Sequence, residues 1–258
     1  MPADDPFGSL AEEYHVASRN PAAFKHVYRA YETHYQPHVQ HLMATAPLHL
    51  EDCPRVPLPP ARAPVPMSVE EAITRRVSGR RFRQASLAPE ELATLLYLAA
   101  AVRHVREEAG TPFYQRNVPN SGNLGSVEVY PVVLNVTGIE PGIYHFDSVR
   151  HDLARLRAGD YGTWLQKWVF LQLEFSEAAA ALILTGAVGR LSSKYGLRGY
   201  RLALIDVGHV SENLYLTGTG LGLQVCATAG FIDDELDRAL GLDGLETAAL
   251  LVVLVGPA

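Results

Sequence analysis

Two side chains that can exchange protons stand next to each other at Lys194 and Tyr195. They lie between a predicted buried strand at 179–187 and a predicted long helix, and connections of this kind often carry catalytic residues. A lysine or tyrosine acts as a general base only when burial or nearby positive charge moves its pKa toward neutrality. Arg198 and Arg201 offer that charge. Lys194 and Tyr195 therefore predict a proton-transfer site, and a basic surface turn is the alternative interpretation.

A second group of residues has the chemistry of a phosphate site. The stretch RRVSGRRFR at 75–83 concentrates five arginines in a chain whose net charge is −6. In extended backbone Arg76, Ser78 and Arg80 project to one side, and guanidiniums bind phosphate through forked, charge-assisted hydrogen bonds. The alternative is a solvated basic turn.

Two glycine-containing segments allow a flat ligand to approach the backbone closely. PNSGNLGSVEVY at 119–130 places a turn before a predicted strand, and its glycine tolerates a positive φ. TGTGLGL at 217–223 places glycines at the end of a helix. It does not match the dinucleotide fingerprint, because no strand leads into it. The candidate ligand-contacting residues of these segments are Pro119, Asn120, Ser121, Gly122, Gly220, Leu221 and Gly222.

Hydrophobic periodicity and turn residues predict the elements that position these groups. Ser68 is the expected N-cap of the first helix of the main body, and Ser86 is the expected cap of a second helix over 88–106. The other predicted elements are strands at 127–136 and 142–147 joined as a hairpin, a helix from Trp164 to Glu174, the buried strand at 179–187, a helix at 199–218 and a last strand at 249–256. Mixed helices and strands with a hairpin indicate an α+β class.

Composition and charge limit the function classes. The chain has 258 residues, 48% hydrophobic and 19% charged, which is typical of an ordinary globular protein. The acidic balance argues against general binding of nucleic acids or anionic membranes. The longest apolar runs are too short to span a bilayer, and the first residues do not form a secretory signal, so we expect a cytoplasmic protein. Two cysteines give neither a disulfide framework nor a zinc pattern.

The first 66 residues differ in composition from the rest. Residues 54–66 are rich in proline and predict an extended strap, so we divide the chain into an N-terminal extension, 1–66, and a main domain, 67–258. Part of 8–44 is predicted to be helical, with interruptions at Pro21 and Pro37. Histidines at 34, 38 and 41 have helical spacing, but Pro37 interrupts the helix, and we predict no metal site.

In their order and spacing these motifs resemble the SagB-type (McbC-like) azoline dehydrogenases, a branch of the FMN-dependent nitroreductase family that forms thiazoles and oxazoles. The resemblance covers 67–256, with a looser match in EEYHVAS at 12–18. The family's Arg-x-Ser-x-Arg-x-Phe pattern falls on 76–82. Its Pro-Ser-Gly-Gly segment falls on 119–122, where Asn120 replaces the usual serine. The segment KYGLRGYR at 194–201 is similar to that branch's catalytic signature, which plain nitroreductases lack.

The resemblance implies an FMN-binding fold, with a mixed or antiparallel sheet flanked by helices, and a homodimer with its FMN sites at the interface. It implies that Arg76, Ser78 and Arg80 hold the FMN phosphate and that Lys194 and Tyr195 are catalytic. The implied reaction is oxidation of thiazoline or oxazoline rings, in a peptide or a carrier-tethered intermediate, with oxygen reoxidising the flavin and a cyclodehydratase as a possible partner. The alternatives are an NAD(P)H-dependent reductase of small molecules and an inactive flavin-binding scaffold of a peptide-modifying complex.

Overall fold

The computed structural model describes residues 6–21, 48, 50–61, 65–108, 110–169 and 177–258. The helices of this part are α1 (Pro6–Ala17), α2 (Val69–Arg75), α3 (Pro89–Ala100), α4 (Gly162–Trp168), α5 (Val188–Tyr195), α6 (Arg198–Gly220) and α7 (Asp233–Leu240). The strands are β1 (Arg55–Pro57), β2 (Val102–Glu108), β3 (Thr111–Arg116), β4 (Val127–Val133), β5 (Gly142–Asp147), β6 (Asp152–Ala158), β7 (Ala180–Gly186), β8 (Leu223–Thr228) and β9 (Ala248–Pro257).

Seven strands form one sheet in the order β1–β6–β5–β4–β7–β9–β8, and each described neighbour pair is antiparallel. Strand β7 is buried along its whole length because both faces of the sheet are covered. Its side chains alternate between two hydrophobic clusters. Leu182 and Leu184 pack with α3 and α6 on one face, whereas Ile183 packs with α4 and α7 on the other.

The structure confirms the α+β class and most of the predicted elements of the main domain. The hairpin of β4 and β5, the buried strand β7, the long helix α6 and the last strand β9 are all present. Ser68 is the N-cap of α2, where its hydroxyl accepts a hydrogen bond from the backbone N–H of Glu71. Strand β4 ends at Val133, three residues before the predicted end at 136.

The predicted helix over 88–106 is wrong in its second half. Helix α3 ends at Ala100, and the backbone of Ala101 is extended (φ −67°, ψ 148°). The chain then forms β2, which pairs with β3 in a separate two-stranded sheet. Ser86 does not cap the helix. The cap is Ala88, whose backbone N–H donates to the carboxylate of Glu91, while Ser86 bonds Thr137 instead.

The N-terminal extension is joined to the main domain at two described places. Strand β1 lies within the proline-rich stretch and pairs with β6 at the edge of the large sheet. Helix α1 contacts the start of α6 through Tyr14, whose hydroxyl donates to the carbonyl of Leu197 over 3.0 Å. The division of the chain at residue 66 stays a prediction.

Some predictions fall outside the part of the chain that the structure describes. These are Pro37, the histidines at 34, 38 and 41, and the end of the helix predicted to reach Glu174, of which α4 covers the first part. Within the described ranges, every helix is too short or too polar to cross a membrane.

Candidate active site

Lys194 and Tyr195 are the last two residues of α5. Gly196 ends this helix with φ +58°, a conformation that glycine adopts without strain. Helix α6 starts two residues later and packs closely on α5. A Cβ on Gly199 would lie 2.5 Å from the backbone nitrogen of Ser192, so only glycine permits this approach. The tight connection fixes where the two titratable side chains leave the backbone.

The turn at 119–126 brings a second motif to the same place. Ser121–Asn123 form a single 3-10 turn, and within it Gly122 has φ +61°. A Cβ on Gly122 would lie 2.8 Å from Lys194 Nζ and closer still to Tyr195 Oη. The structure therefore brings Ser121 and Gly122 together with the lysine and tyrosine.

Asn120 closes the turn. Its side-chain Oδ1 accepts a hydrogen bond of 2.9 Å from the backbone N–H of Gly125. Pro119 precedes it as an exposed residue at the start of the turn. The amide of Asn120 thus has a structural partner within the turn, five residues along the chain.

The turn rests on Asp206 of α6, which is only 2% exposed. The carboxylate accepts hydrogen bonds from the backbone N–H of Ser121 at 3.0 Å, from the Ser121 hydroxyl at 2.8 Å and from the Ser126 hydroxyl at 2.6 Å. A buried charge is tolerated when it is fully hydrogen-bonded in this way. Our sequence reading missed this residue. Its signal was an acid on the same helical face as Ala203, Val207 and Val210.

The two neighbours differ in electrostatics. Burial lowers the pKa of Lys194, because a charged amine loses hydration. Burial raises the pKa of Tyr195, and the negative charge of Asp206 raises it further. The lysine therefore shifts toward the neutral form that a base requires, whereas the tyrosine is held protonated.

The proposed source of positive charge is wrong. Arg198 donates to the carbonyl of Ser18 at 3.2 Å, and Arg201 donates to the carbonyl of His15 at 2.6 Å. Both guanidiniums thus bind the C-terminal end of α1, where cations are favoured by the helix dipole. They are not among the causes that shift the pKa of Lys194 or Tyr195.

The arginine–serine segment lies after α2, with Arg76 in extended backbone (φ −54°, ψ 129°). Ser78 Oγ is 3.1 Å from the hydroxyl of Tyr215, and the Arg76 guanidinium lies 5.4 Å from the centre of the Tyr215 ring. Arg80 hydrogen-bonds the thiol of Cys226, whose pKa is raised by burial. Ser78 and Arg76 thus lie beside Tyr215, and Arg80 lies beside the middle of β8.

The two glycines in the last turn of α6 are closely packed, whereas the one that follows the helix is not. A Cβ on Gly218 would overlap Val225, and a Cβ on Gly220 would overlap Val65 of the strap. Leu221 is half-buried. Gly222 has φ +75°, and no heavy atom of the described chain lies within 4 Å of the position that its Cβ would take.

The two groups of candidate residues lie on opposite sides of α6. Asp206 supports the lysine–tyrosine group and Tyr215 supports the arginine–serine group, and they are nine residues apart (215 − 206). At about 100° and 1.5 Å per residue, nine residues give about half a turn of rotation and about 14 Å along the axis. Asp206 and Tyr215 therefore leave α6 in roughly opposite directions.

Comparisons with known proteins agree with this fold. The sequence profile described as "Nitroreductase family" matches residues 73–256. The chain is 30% identical over 174 residues to protein MJ1384 of Methanocaldococcus jannaschii, covering 67% of this chain and 84% of that protein. It is 27% identical over 172 residues to the trifolitoxin-processing protein TfxB of Rhizobium leguminosarum bv. trifolii, covering 64% of this chain but only 46% of TfxB.

Among solved structures, a chain of the E. coli microcin synthetase McbBCD complex with truncated pro-MccB17 bound superposes with a TM-score of 0.62. Its identity to this chain is 20%, and the match covers 97% of this chain and 92% of that one. At this identity the likeness concerns the fold. Because the family profile spans most of the main domain, this chain belongs to the nitroreductase family.

Proposed function

We propose that this protein is an FMN-dependent dehydrogenase that oxidises thiazoline or oxazoline rings of a peptide-derived substrate to thiazoles or oxazoles. The observation that carries the proposal is the contact of Gly122 with Lys194 Nζ and Tyr195 Oη. It unites two motifs, 72 residues apart (194 − 122), in one place that offers an amine and a hydroxyl to a flat ring. The relation to a trifolitoxin-processing protein supports a peptide-derived substrate.

The arginine–serine segment fits the phosphate of FMN. Arg76 is half-buried, while the side chains of Ser78 and Arg80 are exposed and can donate to an anion. Guanidiniums suit the three oxygens of a phosphate, and a single hydroxyl adds a compact donor. Toward the ring, Pro119, Asn120, Ser121 and Gly122 on one side, and Gly220, Leu221 and Gly222 on the other, remain the proposed contacts. Of these last three, Gly222 leaves its backbone open.

We propose that the cofactor lies between two copies of the chain, because the residues that support the two groups, Asp206 and Tyr215, leave α6 in roughly opposite directions. We place the arginine–serine segment of one copy near the lysine–tyrosine pair of the other. The exposed side of α6 supplies an apolar surface for such a dimer, since Leu204 and Ile205 are 45% and 52% exposed and Ile73 of the adjoining α2 is 56% exposed. Two-fold symmetric dimers are the commonest oligomers.

Aromatisation of an azoline removes a proton from one ring carbon and a hydride from the other. When bound, FMN would supply the acceptor for the hydride, with oxygen as the final acceptor of the two electrons. The neutral amine of Lys194 accepts the proton, because burial favours its uncharged form. Tyr195 stays protonated and donates a hydrogen bond that orients the ring or the amine. The turn at Gly122 holds the ring close to both groups, which converts an encounter into an intramolecular step.

The family itself favours a second candidate, an NAD(P)H-dependent reductase of a small molecule, because the profile matched is that of the nitroreductases. A third candidate is a flavin-binding scaffold without activity. The buried and hydrogen-bonded support of the lysine–tyrosine site argues against it. A cyclodehydratase partner is part of the proposal. The relation to TfxB and the fold shared with a chain of the McbBCD complex are consistent with work in a peptide-modifying assembly.

The test uses the full chain reconstituted with FMN, without oxygen, and a synthetic peptide that carries one thiazoline ring. We expect the peptide to bleach the flavin absorbance and to lose two mass units, while NAD(P)H bleaches slowly. Lys194→Ala and Tyr195→Phe are expected to keep FMN and lose ring oxidation. Lys167→Ala, which removes an exposed lysine beside Trp168, is the matched control.

Rapid bleaching by NAD(P)H with no effect of the peptide would support the reductase instead. Protein that binds FMN but is bleached by neither the peptide nor NAD(P)H would support the scaffold, and protein that takes up no FMN would contradict all three candidates. Full azole formation by both site variants would contradict the assigned chemistry.

A further inference from the structure

Asp206 is the most deeply placed charge near the candidate site. Its side chain comes from the buried face of α6, beside Ala203, Val207 and Val210. An unpaired carboxylate at this buried position would destabilise the fold by roughly several kcal/mol, so the carboxylate depends on its hydrogen-bond partners. Within the described part of the chain, its hydrogen-bond donors come from Ser121 and Ser126.

These donors lie on both sides of Gly122. Ser121 directly precedes the glycine and binds the carboxylate through its backbone N–H and its hydroxyl. Ser126 follows four residues after the glycine and binds the other side of the carboxylate at 2.6 Å. The bond from Gly125 to Asn120 closes the same turn. A single buried acid thus holds both ends of the turn that touches Lys194 and Tyr195.

We infer that Asp206 is a positioning residue that fixes the turn around Gly122 against the amine of Lys194 and the hydroxyl of Tyr195. The inference rests on the proposed function and divides the work at that site. Lys194 is the base, and Tyr195 is the hydrogen-bond donor. The carboxylate acts through its neighbours and does not touch the ring.

The other charges around Tyr195 do not offer an equal explanation. On its own helix are Lys194 and Arg190, and Arg190 donates to the carbonyls of Leu124 and Gly125 at 3.0 and 3.1 Å. On α6, Arg198 and Arg201 bind α1, as described above. The side chains packed with Tyr195 in its cluster are apolar. Asp206 is the charge that raises the pKa of Tyr195, in addition to burial.

The deciding experiment compares Asp206→Asn with Asp237→Asn. Asp237 is a matched control because it is also buried, at 7% exposed, and accepts a backbone hydrogen bond from Ala249, but it lies on α7. Tyr195 ionisation is followed by ultraviolet absorbance as the difference between each protein and its Tyr195→Phe counterpart. We expect Asp206→Asn to move this transition to lower pH and to reduce kcat for the thiazoline peptide about 100-fold, the size expected when a reacting group is displaced by about an ångström. Asp237→Asn should change neither.

A second variant keeps the test decisive if Asp206→Asn fails to fold. Ser126→Ala removes one hydrogen bond but leaves the carboxylate charge, so it should lower kcat by a smaller factor and leave the Tyr195 transition in place. A Tyr195 transition that is the same in Asp206→Asn as in the unmodified protein would overturn the inference. A shift of the Tyr195 transition in Ser126→Ala would also overturn the inference, because that variant keeps the charge of Asp206. If the unmodified protein does not oxidise the peptide, the proposed function fails, and the tyrosine titration still decides the role of Asp206.

Discussion

The two groups of candidate residues are built in different ways. The lysine–tyrosine group is packed before any ligand arrives, because a buried aspartate, a closed turn and a tight helix connection hold its parts. The arginine–serine group is open, with the side chains of Ser78 and Arg80 exposed and one described hydroxyl contact, to Tyr215. The contrast teaches that the place of the proposed chemistry is held by its own packing, whereas the proposed anchor presents exposed donors to an anion.

The largest effect is expected from a substitution at Gly122, where the lysine–tyrosine group is closely packed. Gly122→Ala would place a methyl group against Lys194 Nζ and Tyr195 Oη in a backbone conformation with φ +61°. We expect kcat for the thiazoline peptide to fall at least about 100-fold, because the reacting groups are pushed apart. Gly138→Ala is the control, since Gly138 has a similar φ of +74° but open space around its Cβ position. Equal kcat in the two variants would show that the close approach at Gly122 has no role.

Substitutions in the arginine–serine group are expected to weaken FMN binding and to leave turnover nearly unchanged. Arg76→Ala should raise the Kd for FMN roughly 10- to 100-fold, since a hydrogen bond to a charged group contributes about 1.5–3 kcal/mol. At saturating FMN its kcat should stay close to that of the unmodified protein. Arg75→Ala is the neighbouring control, because Arg75 pairs with Glu71 on the exposed side of α2. Fluorescence titration of FMN measures both, and an unchanged Kd in Arg76→Ala would show that the phosphate binds elsewhere.

A smaller expected effect is that the rate of flavin reduction depends on pH whereas the Kd for FMN does not. Burial lowers the pKa of Lys194, so the neutral amine becomes available at a lower pH than for an exposed lysine. The rate of flavin reduction should therefore rise as pH increases toward this pKa, by about tenfold per unit at most, and then level off. The Kd for FMN should stay flat above neutral pH, because guanidiniums remain charged there. A rate that falls with rising pH in this range would contradict Lys194 as the base.

The sequence predicted the parts of the molecule that depend on local signals. Ser68 caps α2, the strand that became β7 is a continuous apolar run, and Lys194 with Tyr195 stand out as adjacent titratable groups. The hairpin of β2 and β3 was missed because residues 101–106 mix helix formers with valines, and the strand pairing depends on a partner that periodicity does not reveal.

Contacts between distant segments explain the rest of what the sequence did not show. Asp206 binds residues 80 and 85 positions away, and Tyr215 meets Ser78 across 137 positions. Arg198 and Arg201 carried the expected charge, but their acceptors lie 180 and 186 positions earlier in α1. A side chain's chemistry can be read locally, whereas its partner is set by the packed fold.

The attachment of α1 has a practical consequence for protein engineering. A version trimmed to the family-matched residues 73–256 would lack the carbonyls of His15 and Ser18 that two guanidiniums now bind. It would also expose the ring of Tyr200, which the ring of Tyr14 meets edge-on at 5.7 Å. These losses fall just beyond the end of α5, so a shortened protein would lose the contacts that hold the start of α6 beside Lys194 and Tyr195.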